Sequence, residues 1–141
     1  MIIIKVFFPL VWTGMIASIS FIETPLKFRA PGVTLPLGLG IGQLVFRALN
    51  KIEWAFFILW ALPLLITRHV SPAAFIIPVI GVVLLLQTAW WLPHLDKRAR
   101  IVQQGGQPEG RSLHIFYALA EVVKCILLSV YACINILHYK I

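Results

Sequence analysis

Four apolar runs limit what this chain can fold into. They cover residues 2–22, 52–67, 70–92 and 113–137. A helix needs ~20 apolar residues to cross the ~30 Å hydrocarbon layer of a bilayer. The first, third and fourth runs are long enough. The second has only 16 residues, but Lys51 and Arg68 at its ends can extend to the headgroups. Lipid offers no partner to an open backbone group, so runs of this kind must be helical. Composition agrees. The chain is 60% hydrophobic and 12% charged, with mean hydropathy +0.94, whereas a soluble domain carries about 25% charged residues. We therefore expect an all-α integral membrane protein: one membrane domain over residues 1–141, built as a four-transmembrane-helix bundle. The opening segment, MIIIKVFFPLVWTGMIASIS, has a single early charge at Lys5 and a long apolar run. It reads as a retained span rather than a cleaved signal peptide.

The connections differ in character. Residues 93–112 form a polar hairpin, with DKRARIVQQ as a helical extension into water and GGQPEG as a break. Between the first two spans, ETPLKFRAPG leads into TLPLGLGIGQLVFRALNK. Leu37, Ile41, Leu44, Val45, Ala48 and Leu49 share one helical stripe there, while Gln43, Arg47, Asn50 and Lys51 fall off it. The spacing predicts an interfacial amphipathic helix over about 37–50. Gly38 and Gly42 are four apart, a spacing that permits close helix contact. LGLGIG lacks both the Lys-Ser/Thr pair and the preceding strand of a phosphate-cradling loop.

The net charge of +7 does not form one basic face, so nucleic acid is not expected as a partner. The basic residues report topology instead. Lys27, Arg29, Arg47 and Lys51 lie in the first loop, and Lys97, Arg98, Arg100 and Arg111 in the third. Lys5, Arg68 and Lys140 lie on the opposite side. The positive-inside bias predicts a multi-pass protein of the inner (plasma) membrane, with cytoplasmic loops and both termini outside. Asn135, His138 and the residues near Arg68 and His69 are expected to anchor the outer interface. Cys125 and Cys133 are eight residues apart on one expected helix. That is ~12 Å along the axis, too far for a mutual disulfide.

The remaining lysine, Lys124, sits inside the fourth run with Glu121. At 100° per residue, His114, Tyr117, Glu121 and Cys125 fall within about 80° of one another, with Lys124 at the edge of that stripe. Glu121 lies ~10 Å and Lys124 ~15 Å below His114 along the axis. A charge at such depth costs ~2.5–3.5 kcal/mol on insertion scales, so it must face the bundle, pair or neutralise. The i, i+3 spacing lets the two pair. Glu23 ends the first span and Glu53 opens the second. On the third, Gln87, Trp90, Trp91 and His94 share a face, followed by Asp96.

These groups suit proton relay, metal binding or a polar substrate, and also plain interhelical hydrogen bonding. A di-iron bundle needs Glu-x-x-His on two helices, and no glutamate here is followed by that pattern. Haem or metal ligation would fall to His94 and His114. There is no Gly-x-Ser-x-Gly, His-Glu-x-x-His or Walker pattern, and a hydrolase is not expected.

The stretches SFIETPLKF (Ser20 to Phe28) and GQLVFRAL (Gly42 to Leu49) resemble the small four-helix membrane proteins related to transmembrane protein 205. The resemblance covers the first half of the chain and implies a four-span fold with little stated chemistry. More distantly, the chain is similar to small membrane proteins grouped with copper-resistance and haem-pathway oxidase proteins. Their first-span histidine has no counterpart in MIIIKVFFPLVWTG.

Three functions stay open. The first is small-solute or ion/proton transport, using Glu121, Lys124, His114, Tyr117, Glu23 and Glu53. The second is an accessory role beside a membrane-complex partner or a second copy of the chain. The third is a haem- or metal-binding redox role through His94 and His114.

Overall fold

The computed structural model describes residues 2–67, 71–107 and 112–139. The expectations for Arg68, His69, Arg111 and Lys140 fall outside these residues. Four helices account for nearly everything described: α1 (Ile3–Lys27), α2 (Leu35–Ile66), α3 (Ile76–Gln103) and α4 (Ser112–Tyr139). Each is long and apolar enough to cross a membrane, and no strand occurs among the described residues. The protein is an all-α, multi-pass membrane protein.

Prolines shape the spans. Pro9 and Pro25 in α1 and Pro93 in α3 each lie inside a continuous helix. A proline lacks the N–H for its i−4 carbonyl and collides with it. In all three cases that carbonyl belongs to a widened π-helical turn: Ile3–Phe7, Ser18–Glu23 and Gln87–Trp91. The wider turn accommodates the ring without breaking the helix. This is how α1 continues past Pro25 to Lys27.

The expected interfacial helix over 37–50 and the second span join into one helix, α2. Thr34 caps its start, its hydroxyl accepting from the Leu37 N–H at 3.4 Å. No glycine or proline occurs between Gly42 and Pro63 to interrupt it. At 32 residues it is ~48 Å long, well beyond the hydrocarbon thickness. α3 is also longer than a minimal span, and the two overhangs pair. Gln43 donates to the Asp96 carbonyl at 3.0 Å, Arg47 grips the Asp96 carboxylate, and Gln103 donates to Gln43 at 3.0 Å. Here polar side chains bind helices together where there is water to screen them.

The bundle core is aromatic and aliphatic: Trp12 and Ile16 from α1, Trp60 from α2, Ile80 and Leu84 from α3, Leu128 and Tyr131 from α4. Trp60 stands edge-on to Trp12 at 6.1 Å and to Tyr131 at 4.9 Å, the geometry aromatic quadrupoles favour. Val11, Leu59, Val82 and Ile126, one from each helix, are exposed and face the lipid. Hydroxyls along the spans bond backward, as Thr13 does to the Pro9 carbonyl at 2.9 Å, which satisfies them without a partner helix. Asn135 is not an interface anchor as the sequence suggested. It is 3% exposed, accepts from the Ser71 hydroxyl at 3.0 Å and donates to the Tyr131 carbonyl at 2.8 Å. A buried amide gains more from these bonds than from a headgroup.

Gly81 marks the close approach of α3 to α2. A Cβ there would lie 2.9 Å from Cζ of Phe57. Gly81→Val is expected to cost about 1–3 kcal/mol through overpacking, read as a lower midpoint in detergent thermal unfolding. An unchanged midpoint would mean that Phe57 yields freely.

Candidate functional site

Near mid-bundle, each of the four helices contributes to one polar cluster. α4 presents Glu121 and Lys124, three residues apart and so on one face. α2 presents Glu53, α3 Gln87 and α1 Trp12. All five side chains are fully buried, at 0% exposure. Lys124 Nζ is the hub. It donates to Glu53 Oε1 and lies 3.2 Å from Glu121 Oε1 and 3.1 Å from Oε2. Trp12 Nε1 donates to Glu53 Oε1 at 3.2 Å, and Gln87 Nε2 donates to Glu121 Oε1 at 2.7 Å.

The outer oxygens are less well served. Glu53 Oε2 and Gln87 Oε1 have no hydrogen-bond partner among the described residues, and Glu121 Oε2 has only the Lys124 ammonium at 3.1 Å, which Glu121 Oε1 and Glu53 also share. Buried acceptors of this kind are uncommon in native structures. They give the cluster capacity for one more donor, either a proton or a water. Charge points the same way. Two carboxylates and one ammonium, all ionised, sum to one net negative charge.

A second polar group lies beside it. Trp54 Nε1 donates to Thr88 Oγ1 at 2.8 Å, and Thr88 Oγ1 lies 3.0 Å from Asn50 Oδ1 and 2.7 Å from the Leu84 carbonyl. The single hydroxyl proton serves one of those two acceptors at a time.

Toward the charged loops lies a cavity of about 80 Å³, with Lys27, Gly42, Gln43, Phe46, Asp96 and His114 among its lining. Its shape depends on two glycines. A Cβ on Gly38 would lie 2.3 Å from the Phe28 ring, and one on Gly42 would lie 3.1 Å from Lys27 Nζ. The Gly-x-x-x-Gly spacing thus makes room for the end of α1 and its loop, rather than for another transmembrane helix. Lys27 Nζ sits 5.6 Å from the centroids of both Phe28 and Phe46 and 3.5 Å from Glu23 Oε2.

The structure therefore divides the sequence candidates. Glu53, Glu121 and Lys124 meet, and Tyr117 (1% exposed) is buried one turn from Glu121 on the same helix. Glu23 is spent locally on Lys27, its i+4 neighbour. His114 lines the cavity, its ring edge-on to Phe46 at 6.4 Å. His94 stacks on Trp90 at 5.6 Å with Nδ1 2.7 Å from the Trp90 carbonyl, and is not part of the cavity lining. No group of three or more His, Cys, Asp or Glu converges closely enough to hold a metal ion among the described residues. Trp12 is the cluster member that the sequence reading did not name, and Gln87 was placed on the polar face of the third span without being carried into the candidate transport residues. Gln87 had a signal, an amide inside an otherwise apolar run. Trp12 had none, because a tryptophan in a span reads as packing. The chain matches no family model, no curated protein and no solved structure.

Proposed function

We propose that the Glu53–Lys124–Glu121 centre takes up and releases a proton as part of small-solute or ion transport across the membrane. One observation carries this reading: two carboxylates share a single ammonium deep in a four-span bundle, with no exposure on any of the three. A lysine needs one carboxylate for charge balance. The second leaves a net charge in a medium where charge is expensive, and one proton removes it. Such a site is easily switched between two charge states.

A second reading has its own support. Every helix supplies a member of the cluster, which is also what a clamp in an accessory subunit requires. In either reading the basic loops favour a cytoplasmic placement, with both termini outside and the inner (plasma) membrane as the location. The redox reading keeps His94 and His114 as its residues. A Soret band, or stoichiometric iron or copper in the purified protein, would favour it.

Flux distinguishes the first two. In liposomes carrying an internal pH-sensitive dye, the wild type is expected to dissipate an imposed pH gradient. Glu121→Gln keeps the Gln87 contact and leaves a balanced Lys124–Glu53 pair, so it should fold. It should conduct no better than empty liposomes. No flux from either protein would support the accessory role, and equal flux from both would show that Glu121 takes no part in conduction.

A further inference from the structure

The geometry points to a one-sided proton route: from the buried centre through Tyr117 and His114 to the cavity at the charged-loop end, plugged by the Phe46 ring. It rests on the proton-handling reading above.

Tyr117 and His114 lie four and seven residues before Glu121, on the same face of α4. Together they cover ~10 Å of axis, the gap between the centre and the cavity. Tyr117 Oη is buried with no hydrogen-bond partner among the described residues. A phenol and an imidazole can each accept one proton and donate another, which a relay requires. Phe46 reaches from α2 across both, 5.2 Å from the Tyr117 ring and 6.4 Å from His114. It therefore separates the centre from a cavity with room for several waters.

The opposite direction is closed. Beyond the centre, Ile80, Leu84 and Leu128 are all at 0% exposure. Trp60 and Tyr131 also carry unpartnered polar atoms there. The Trp60 indole only donates, so it cannot pass a proton on, and the Tyr131 phenol lies seven residues, ~10 Å, beyond Lys124 with the apolar Leu128 at the intervening turn.

The charged and titratable groups around this route come from all four helices. Lys27 of α1 and Asp96 of α3 line the cavity with His114, and Glu23 of α1 pairs with Lys27 there. Trp12, Gln87 and Lys124 surround the two carboxylates.

Carbodiimides test the route because they add to a protonated carboxyl and rearrange to a stable N-acylurea. A water-soluble carbodiimide is applied to inside-out and right-side-out vesicles, with adducts on Glu53 and Glu121 located by peptide mass. Maleimide labelling of a Gln104→Cys variant identifies the loop face. Labelling of wild type from the loop face only is the expected result. Phe46→Ala is expected to label about tenfold faster from that face, equivalent to about 1.4 kcal/mol of barrier. Labelling from the terminus face, or equally from both, overturns the route. So does labelling by a membrane-permeant carbodiimide but by the soluble one from neither face, a result that leaves the proton centre itself intact. If the permeant reagent also fails to label either glutamate, the proton-handling reading falls and the route with it. The sidedness result needs no variant in the route, so it stands even if Phe46→Ala does not fold.

Discussion

Lys124→Met is expected to destabilise the bundle by about 3–5 kcal/mol, the cost of breaking a buried ion pair by removing one partner. The side chain is at 0% exposure and touches both Glu53 and Glu121. Without it, two carboxylates face each other with only Trp12 and Gln87 as donors. The methionine fills nearly the same volume, so lost packing contributes little. The loss should appear as a large drop in the detergent unfolding midpoint. Adding Glu53→Gln and Glu121→Gln to Lys124→Met removes the unpaired charge and should restore most of it. If the single variant is as stable as wild type, Lys124 does not hold the two acids together. If the triple variant is no better than the single, the loss comes from shape rather than charge.

The four spans were legible because run length and charge scarcity are one-dimensional properties. A bilayer converts them directly into helices. The start of α2 was harder to read. A polar stripe of Gln43, Arg47, Asn50 and Lys51 looks the same whether its partner is a headgroup layer or another helix. In the structure part of it meets the overhang of α3, through Asp96 and Gln103. That difference also changed how Glu53 was read. With the span beginning near residue 52, Glu53 seemed to open it at the surface. With the helix running from Leu35, Glu53 lies near its middle and is fully buried.

Glu121 and Lys124 were conspicuous because their own run surrounds them with apolar residues. Glu23 and Glu53 could not be ranked, since helix rotation and cross-helix neighbours are not encoded in a period. One found a local lysine and the other a distant one. Trp12 donates to a carboxylate because of its position opposite α2, a three-dimensional fact with no sequence counterpart.

Whether the centre is machinery or mortar is decided by removing it entirely. Glu53→Leu, Gln87→Leu, Glu121→Leu and Lys124→Met together replace every charged member and the amide with apolar groups of similar size. Replacing a buried ion network in this way is often neutral or stabilising, by 1–4 kcal/mol, because the desolvation cost disappears. The Trp12 N–H loses its acceptor, which returns about 1–3 kcal/mol. The two terms nearly offset, so the midpoint is expected to stay within a few degrees of wild type, and the bundle should purify in the same form. Proton flux in liposomes should fall to that of protein-free vesicles. That outcome would show a fold that does not need its most expensive residues and an activity that does. A variant that folds and still conducts would free the centre from any transport role. A variant that fails to fold would make the cluster the clamp that joins four helices, and the accessory role the better description of the chain.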